Sequence, residues 1–348
     1  MSNSALNRPE ETGRLLSICI PTHNRAGYLP DLLDSIVNEL NGLPSQRYLD
    51  DVEVVISDNA SDDNTLEVIE SYKGKLPHIV YIRQQENIGA DRNYIAAVGA
   101  SSSKFCWLMG SDDRVDRGGL AGVIAAATTF GDAAGFTIGV KAYDSRLEAE
   151  IKIADSVRLK NQSLIEGSEE AYLIFSEQFG FISAQVINRE IWLEVCRNND
   201  LTSYYNAYVH LFIIGKMLQI CPRWGYVPHG YVGWRSGNDS FMQDGWLKRM
   251  NLDVVGYSNA TIGVFGKESR LFYKVRNRIA ASHIYRHLIF AKSHDASSES
   301  LKKAACIIRA NYGDTQAYRL KLLPVILIPT PAIRVARQIY RKIRYRAN

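Results

Sequence analysis

The sequence predicts an α/β fold, with a mainly parallel sheet flanked by helices and a mainly helical C-terminal region. Three observations lead there. Short β-branched apolar runs alternate with helix-period stretches from residue 15 onward, and each run stops at a polar, turn-forming cluster. From about residue 245 the strand-like runs cease and helical periodicity takes over. Sheets of this kind bind ligands in the crevice beyond the carboxyl ends of their strands, and the polar clusters lie at those ends.

The elements follow in order. Leu15 to Ile20 is a strand stopped by Pro21 and Thr22-His23-Asn24-Arg25. Leu29, Leu32, Leu33, Ile36, Val37 and Leu40 recur at helical spacing, with Pro30 tolerable in a first turn. Val52 to Ile56 is a second strand ending at Ser57-Asp58-Asn59-Ala60-Ser61-Asp62, and Leu66, Ile69 and Tyr72 mark the helix behind it. A third strand, Ile79 to Arg83, leads through Asn87-Ile88-Gly89 into a helix carrying Tyr94, Ile95 and Val98. The fourth, Phe105 to Met109, ends in Gly110-Ser111-Asp112-Asp113. A helix near Leu120–Thr129 and a strand near Ala134–Val140 continue the pattern; residues 168–220 read as two helical stretches and Gly225–Trp234 as a strand. At roughly 150 residues per domain, 348 residues suggest two parts. The expected organisation is a loose N-terminal tail over 1–14, an α/β domain over 15–240 and a helical region over 241–348.

Composition narrows the classes. With 46% hydrophobic and 22% charged residues the chain is neither disordered nor a disulfide miniprotein. Cys19, Cys106, Cys196, Cys221 and Cys306 stand singly, which suggests neither a disulfide framework nor a thiolate zinc site, and the default compartment is a reducing cytoplasm. The N-terminus lacks the basic start and apolar run of a signal peptide. Residues 315–348 hold eight cations and no acid, so removing them from the net +4 leaves −4 for the first 314 residues.

The chemistry concentrates at the strand ends. Adjacent carboxylates at Asp112 and Asp113 repel each other, and a divalent cation relieves that repulsion while offering positions to phosphate oxygens; the alternative is a solvated turn or helix cap. Asp58 ends a buried strand on the same edge, where a carboxylate can accept from a base or ribose, or else merely caps the next helix. Gly89 allows close backbone approach, and Arg92 and Asn93 open a helix whose N-terminus favours anions, although Arg92 can equally pair with Asp91 or Glu86.

Taken in order, Ser17-Ile18-Cys19-Ile20-Pro21-Thr22-His23-Asn24-Arg25, Ile56 to Asp63, Asn87-Ile88-Gly89 to Asn93 and Trp107 to Asp113 resemble the family 2 glycosyltransferases of GT-A fold. The resemblance spans residues 15–120, about a third of the chain. A narrower similarity, to abequosyltransferase-like enzymes of O-antigen (lipopolysaccharide) assembly, rests on Ala90-Asp91-Arg92-Asn93, Cys106-Trp107 and Gly237-Asn238-Asp239-Ser240-Phe241. The family resemblance implies that Pro21, Thr22 and Arg25 border a nucleotide, that Asp58 meets the base, that Arg92 lies beside base or diphosphate, and that Asn24, Asn59 and Asn87 also belong to the nucleotide site. Asp112 would face ribose or metal and Asp113 would ligate Mg²⁺ or Mn²⁺. The implied activity is sugar transfer from a CDP-, UDP-, GDP- or dTDP-linked donor, the sugar being a dideoxyhexose such as abequose, to a glycan hydroxyl.

The sequence departs from the family where a downstream acidic pair is expected. Residues 203–212 contain no Asp or Glu, so His210 is the candidate general base or acceptor contact, with a core histidine as the equal alternative. A transfer that retains configuration needs no such base. Arg235, Asn238 and Asp239 form a loop that can close over donor or acceptor, or simply a surface turn.

Leu322 to Pro329 is proline-broken and far short of the ~20 residues that span a bilayer. The cationic segment after it suits peripheral attachment to anionic lipid at the inner face of a membrane, in keeping with a lipid-linked glycan acceptor. A solvated helix is the plain alternative, and the acidic body argues against nucleic acid. The competing functional class is a noncatalytic nucleotide- or glycan-binding subunit of an assembly complex. A nucleotide-sugar pyrophosphorylase is disfavoured, because no glycine-rich, arginine-containing loop follows the first strand.

Overall fold

The computed structural model describes residues 13–76, 78–153, 157, 159–239, 241–242, 245–294 and 296–346. The expected N-terminal tail therefore lies, up to residue 12, outside the described residues, as does Ser240 of the loop motif. The chain divides between Asn238 and Asp239 into two compact units; the sequence reading put the break after residue 240.

The first unit is built on one ten-stranded sheet. Its strands are β1 (Leu16–Thr22), β2 (Val52–Asp58), β3 (Ile79–Arg83), β4 (Phe105–Leu108), β5 (Arg114–Val115), β6 (Gly135–Tyr143), β7 (Glu150–Ile151), β8 (Ser163–Glu166), β9 (Gln185–Asn188) and β10 (Arg223–Arg235). The order is β3-β2-β1-β4-β9-β6-β10-β5, with β7 on β6 and β8 on β10. β3, β2, β1 and β4 run parallel, so their carboxyl ends form one edge. All seven residues of β1 and all seven of β2 are buried, which is why both read as unbroken apolar runs and not as alternating ones.

The helices of this unit are α1 (Leu29–Asn41), α2 (Gln46–Asp50), α3 (Thr65–Tyr72), α4 (Ala90–Ala100), α5 (Gly119–Thr129), α6 (Ser168–Phe175), α7 (Arg189–Asn198) and α8 (Val209–Ile220). α1 begins with Pro30 in its first turn and buries Leu29, Leu32, Leu33, Ile36 and Leu40, the apolar stripe seen in the sequence. That stripe joins Leu16, Ile18, Ile20, Val54, Ile56 and Trp107 in the core.

Residues 168–220 depart from the expected two helices. Three helices form there, and β9 lies between α6 and α7, antiparallel to both β4 and β6. Four residues carry too little periodicity to announce a strand; β9 exists because two flanking strands offer it hydrogen bonds. Gln185 is fully buried within it, donating its amide to the carbonyls of Gln178 (2.7 Å) and Phe181 (3.1 Å) and accepting from Thr137 (2.8 Å). β10 bulges between Val227 and Val232, and the bulge drives its backbone onto β6. A Cβ at Gly139 would lie 2.4 Å from the Pro228 carbonyl oxygen, so only glycine fits there.

The second unit is helical, with α9 (Trp246–Phe265), α10 (Arg270–Ile279), α11 (Tyr285–Ser293), α12 (Ser298–Tyr312), α13 (Leu323–Leu327) and α14 (Thr330–Arg346). A π turn, Ala280–Ile284, joins α10 to α11 without a break. Met250, Val254, Tyr257, Leu271, Val275, Ile284, Leu288 and Ile308 are buried here. Among the described residues no helix is long and apolar enough to cross a membrane.

Candidate active site

Thr22 and Asp58 face each other across β1 and β2, so the loops that follow emerge side by side. Backbone and side chains stitch them together. The Asn59 amide donates to the Thr22 carbonyl (2.9 Å), the Asn24 amide to Ser61 Oγ (2.9 Å), and the Asp62 amide to Asn24 Oδ1 (2.9 Å). Asn24 and Ala60 both take left-handed backbone, with φ of 52° and 58°. Asparagine tolerates that conformation; Ala60 holds it at a steric cost carried by the surrounding bonds. Pro21 is buried at the end of β1, past the last register pair with β4, where a missing N–H costs no ladder bond.

Asp58 is fully buried. Its carboxylate accepts from the Ser61 amide (2.9 Å), Ser61 Oγ (2.5 Å) and Tyr81 OH (2.9 Å), with Arg83 at 3.9 Å. Burial, reinforced by that bond to Asp58, pushes the Tyr81 phenol up to about 12. Asn59 donates to Asn87 Oδ1 (2.8 Å) and accepts from the Ile88 amide (2.8 Å), and Asn87 reaches His23 at 3.1 Å. The second and third motifs thus form one rigid polar shelf. At its rim Thr22 Oγ1 is buried with no hydrogen-bond partner among the described residues.

The acidic pair sits beyond β4. Asp113 is 3% exposed, accepting from Ser183 Oγ (2.6 Å) and from the Arg235 amide (3.2 Å). Burial, and then the neighbouring charge of Asp112, push its carboxyl up to about 8. Asp112 is raised by burial too, against the pull of Arg25 and Arg235, and accepts from Asn238 Nδ2 at 2.7 Å. Both carboxylates converge on Gly110, where a Cβ would come within 3.2 Å of an oxygen of each.

Arg235 closes this corner. Its guanidinium donates to the carbonyls of Asp112 (2.8 Å) and Ser145 (2.9 Å) and to Asp31 Oδ2 (2.5 Å), and it stacks over Tyr28 at 5.2 Å. Arg25 approaches from the first loop, 3.3 Å from Asn238 Oδ1. Two cations therefore face two acids at the edge where β1, β2 and β4 end.

Several expectations for this region change. Asp239, expected with Arg235 and Asn238 in a closing loop or a surface turn, pairs with Arg249 (2.6 Å) and accepts from the Phe241 amide (2.9 Å), so its carboxylate caps the turn into α9. His210 is 1% exposed on α8. Among the described residues neither ring nitrogen meets a partner in hydrogen-bonding geometry, and the rings of Tyr94 and Tyr208 lie 6.0 and 5.8 Å away. Burial depresses the imidazole to about 4, only partly offset by the backbone of Gly180 and Phe179. The ring is sealed from solvent, as the core alternative expects.

Arg92 is exposed and lies over the Tyr205 ring at 4.9 Å, paired with neither Glu86 nor Asp91. Asp91 instead turns inward, accepting from the amides of Ala207 (2.7 Å) and Val209 (3.1 Å). It supplies the cap that the first turn of α8 lacks from its own chain neighbours. Asn93 is likewise structural, clamped to Ser57 by a 2.6 Å and a 2.9 Å bond. Sequence reasoning passed over Asp31, Tyr28 and Ser183. Asp31 and Tyr28 had a signal in their closeness to the first motif; Ser183 had none, because only the return of the chain along β9 brings it to Asp113.

Comparisons with known proteins identify the family and the fold. The model of glycosyl transferase family 2 matches residues 17–190. Over 286 residues the chain is 28% identical to the abequosyltransferase RfbV of Salmonella typhimurium, covering 74% of this chain and 77% of that protein. It is 30% identical over 111 residues to the minor teichoic acid biosynthesis protein GgaA of Bacillus subtilis, 31% of this chain but only 24% of that one. Residues 1–349 of TarS from S. aureus superpose with a TM-score of 0.60 at 16% identity, over 94% of this chain and 91% of that one, in crystals that include a complex with UDP-GlcNAc. At that identity the likeness shows the fold, which is the GT-A type with a helical C-terminal region. With half of the chain matched and all four polar loops inside the match, the chain belongs to glycosyl transferase family 2.

Proposed function

We propose that the chain moves a sugar from a nucleoside-diphosphate donor to a hydroxyl of a lipid-linked or polysaccharide glycan during assembly of a cell-surface polysaccharide, and that the sugar is a dideoxyhexose such as abequose. The observation that carries this is the Asp112–Asp113 pair, with Asp113 buried and Asp112 half-buried, beside Arg25 and Arg235 at the carboxyl edge of the sheet. Support for the pathway class comes from relatives named for abequose transfer and teichoic acid biosynthesis, and for the donor class from a fold shared with a protein crystallised with UDP-GlcNAc.

The roles follow from placement. The shelf of Asp58, Asn59 and Asn87 receives the base, and the Thr22 hydroxyl has hydrogen-bonding capacity left for ribose or phosphate. Arg25 and the exposed Arg92 meet the anionic diphosphate. Arg235 holds the Asp112 backbone and Asp31 in place, so that the acidic corner keeps its shape as charge develops.

A divalent cation, Mn²⁺ or Mg²⁺, fits Asp112 and Asp113. Both are oxygen donors, and burial, with the neighbouring Asp112 charge second, raises the Asp113 carboxyl, a cost that such an ion relieves. When bound, it supplies positive charge to the departing diphosphate. With His210 buried, we assign no general base. We place the chain at the inner face of a membrane, with α14 as the contact. Val335 and Ile339 are 54% and 52% exposed on that helix, next to the cationic residues of the tail; the side chains of Arg341, Lys342, Arg344 and Arg346 lie outside the described residues.

A thermal-shift screen of UDP, CDP, GDP and dTDP with and without Mn²⁺, on the chain and on Asp113→Asn, tests the proposal. One diphosphate should stabilise the chain by ~2.7 kcal/mol at a hundredfold excess over its dissociation constant. The Mn²⁺-dependent part should vanish in Asp113→Asn. No shift with any nucleotide would overturn the donor site and favour a noncatalytic subunit.

A further inference from the structure

The helical second unit contains a side-chain cluster that sugar transfer does not use. Asp253, fully buried on α9, turns Oδ2 toward Nε2 of His283 (3.0 Å) and Nε2 of His287 (3.2 Å). Its other oxygen accepts from Arg249, which also holds Asp239 at 2.6 Å. One ligand atom from each of Asp253, His283 and His287 falls within 4.8 Å of the others.

Two features suit a metal ion here. The first is the edge length. Ligand atoms around a tetrahedral ion, at bonds of about 2.0–2.1 Å, sit about 3.3 Å apart; the two oxygen–nitrogen edges here are 3.0 and 3.2 Å. The second is the backbone that delivers the imidazoles. His283 stands in the π turn Ala280–Ile284 and His287 in the first turn of α11. Such turns are rare, are concentrated at functional sites, and here bring both rings, whose centroids are 4.8 Å apart, to a single carboxylate oxygen.

Arg249, on the non-ligating oxygen of Asp253, is the kind of outer contact that fixes a ligand's orientation.

We propose that Asp253, His283 and His287 bind a divalent transition ion of the zinc class, which ties α9 to the α10–α11 turn and leaves one coordination position for water or an added ligand. Two imidazoles and one carboxylate select such an ion over Mg²⁺, which prefers oxygen alone. In donor chemistry the site is the opposite of the all-oxygen Asp112–Asp113 pair.

The test uses the full chain, stripped with a chelator, dialysed, and titrated with Zn²⁺ against a chromophoric competitor, with Co²⁺ as a visible-absorption probe. The expected result is one equivalent bound, a cobalt spectrum of the four-coordinate type, and a Zn²⁺-dependent rise in melting temperature. Affinity should fall by about 100-fold or more in His283→Ala and His287→Ala. His287→Gln, which keeps a hydrogen-bonding group opposite Asp253, guards against loss of fold: it should melt near the parent without metal and lose the Zn²⁺ response. Absence of binding by the parent chain, or a Zn²⁺ response that survives in His287→Gln, would overturn the proposal and leave the cluster a hydrogen-bonded ion pair.

Discussion

The sharpest test of the active-site assignment is His210→Leu. The imidazole is 1% exposed, with both nitrogens unpartnered among the described residues, and burial depresses it to about 4 from an ordinary 6.5. The unfolded chain therefore binds a proton between pH 6.5 and pH 4 that the folded chain refuses. Stability associated with His210 is intact above pH 6.5 and is lost as pH falls toward 4. At about 1.4 kcal/mol for each tenfold change, that interval amounts to about 3 kcal/mol. Leucine has nothing to titrate and suits a helix interior. Urea unfolding of parent and variant, followed by tryptophan fluorescence, should give similar midpoints at pH 7. The variant should gain a growing advantage that reaches about 3 kcal/mol near pH 4. The probe is well placed, since Trp107, Trp192, Trp224 and Trp234 lie in the first unit and only Trp246 in the second. Differencing the two curves removes every other titrating group. Transferase activity should stay within a few-fold, whereas loss of a true general base costs about 10²–10⁴. A stability difference that does not change with pH, together with activity lost on that scale, would refute the argument and return His210 to the acceptor.

Three further outcomes follow from the same geometry. Asp91→Ala removes the acceptor for the Ala207 and Val209 amides and should cost about 1–2 kcal/mol, read as a lower thermal midpoint, with Asp91→Asn recovering part of it. Gly110→Ala brings a Cβ within 3.2 Å of both acidic side chains. It should weaken nucleotide affinity by about tenfold in calorimetry, while Gly99→Ala, which meets nothing within 4 Å, should not. Arg235→Lys leaves the carbonyls of Asp112 and Ser145 and the Asp31 carboxylate short of donors, because an ammonium cannot reproduce the fork. A loss of about 2–4 kcal/mol in urea unfolding is expected.

What the sequence determined by itself is local and periodic. β1 through β4 with their helices were legible because each strand is a continuous apolar run and each following helix repeats its apolar residues every three or four positions. The loops at their ends were legible too, since Asp, Asn, Gly and Ser mark turns wherever they cluster. What only the tertiary structure decided depends on contacts between residues far apart in the chain. β9 is a strand because β4 and β6 flank it. Asp91 is a cap because α8 begins beside it, 118 residues on. His210 is a core residue because the rings of Tyr94 and Tyr208 and the Phe179–Gly180 backbone surround it. Asp239 caps the turn into α9 because Arg249 meets it there. Asp253 meets His283 and His287 through a π turn that no apolar pattern encodes. Periodicity records which face of an element is buried; the particular partner that face meets is set when the elements pack, and each titratable group takes its role from that partner.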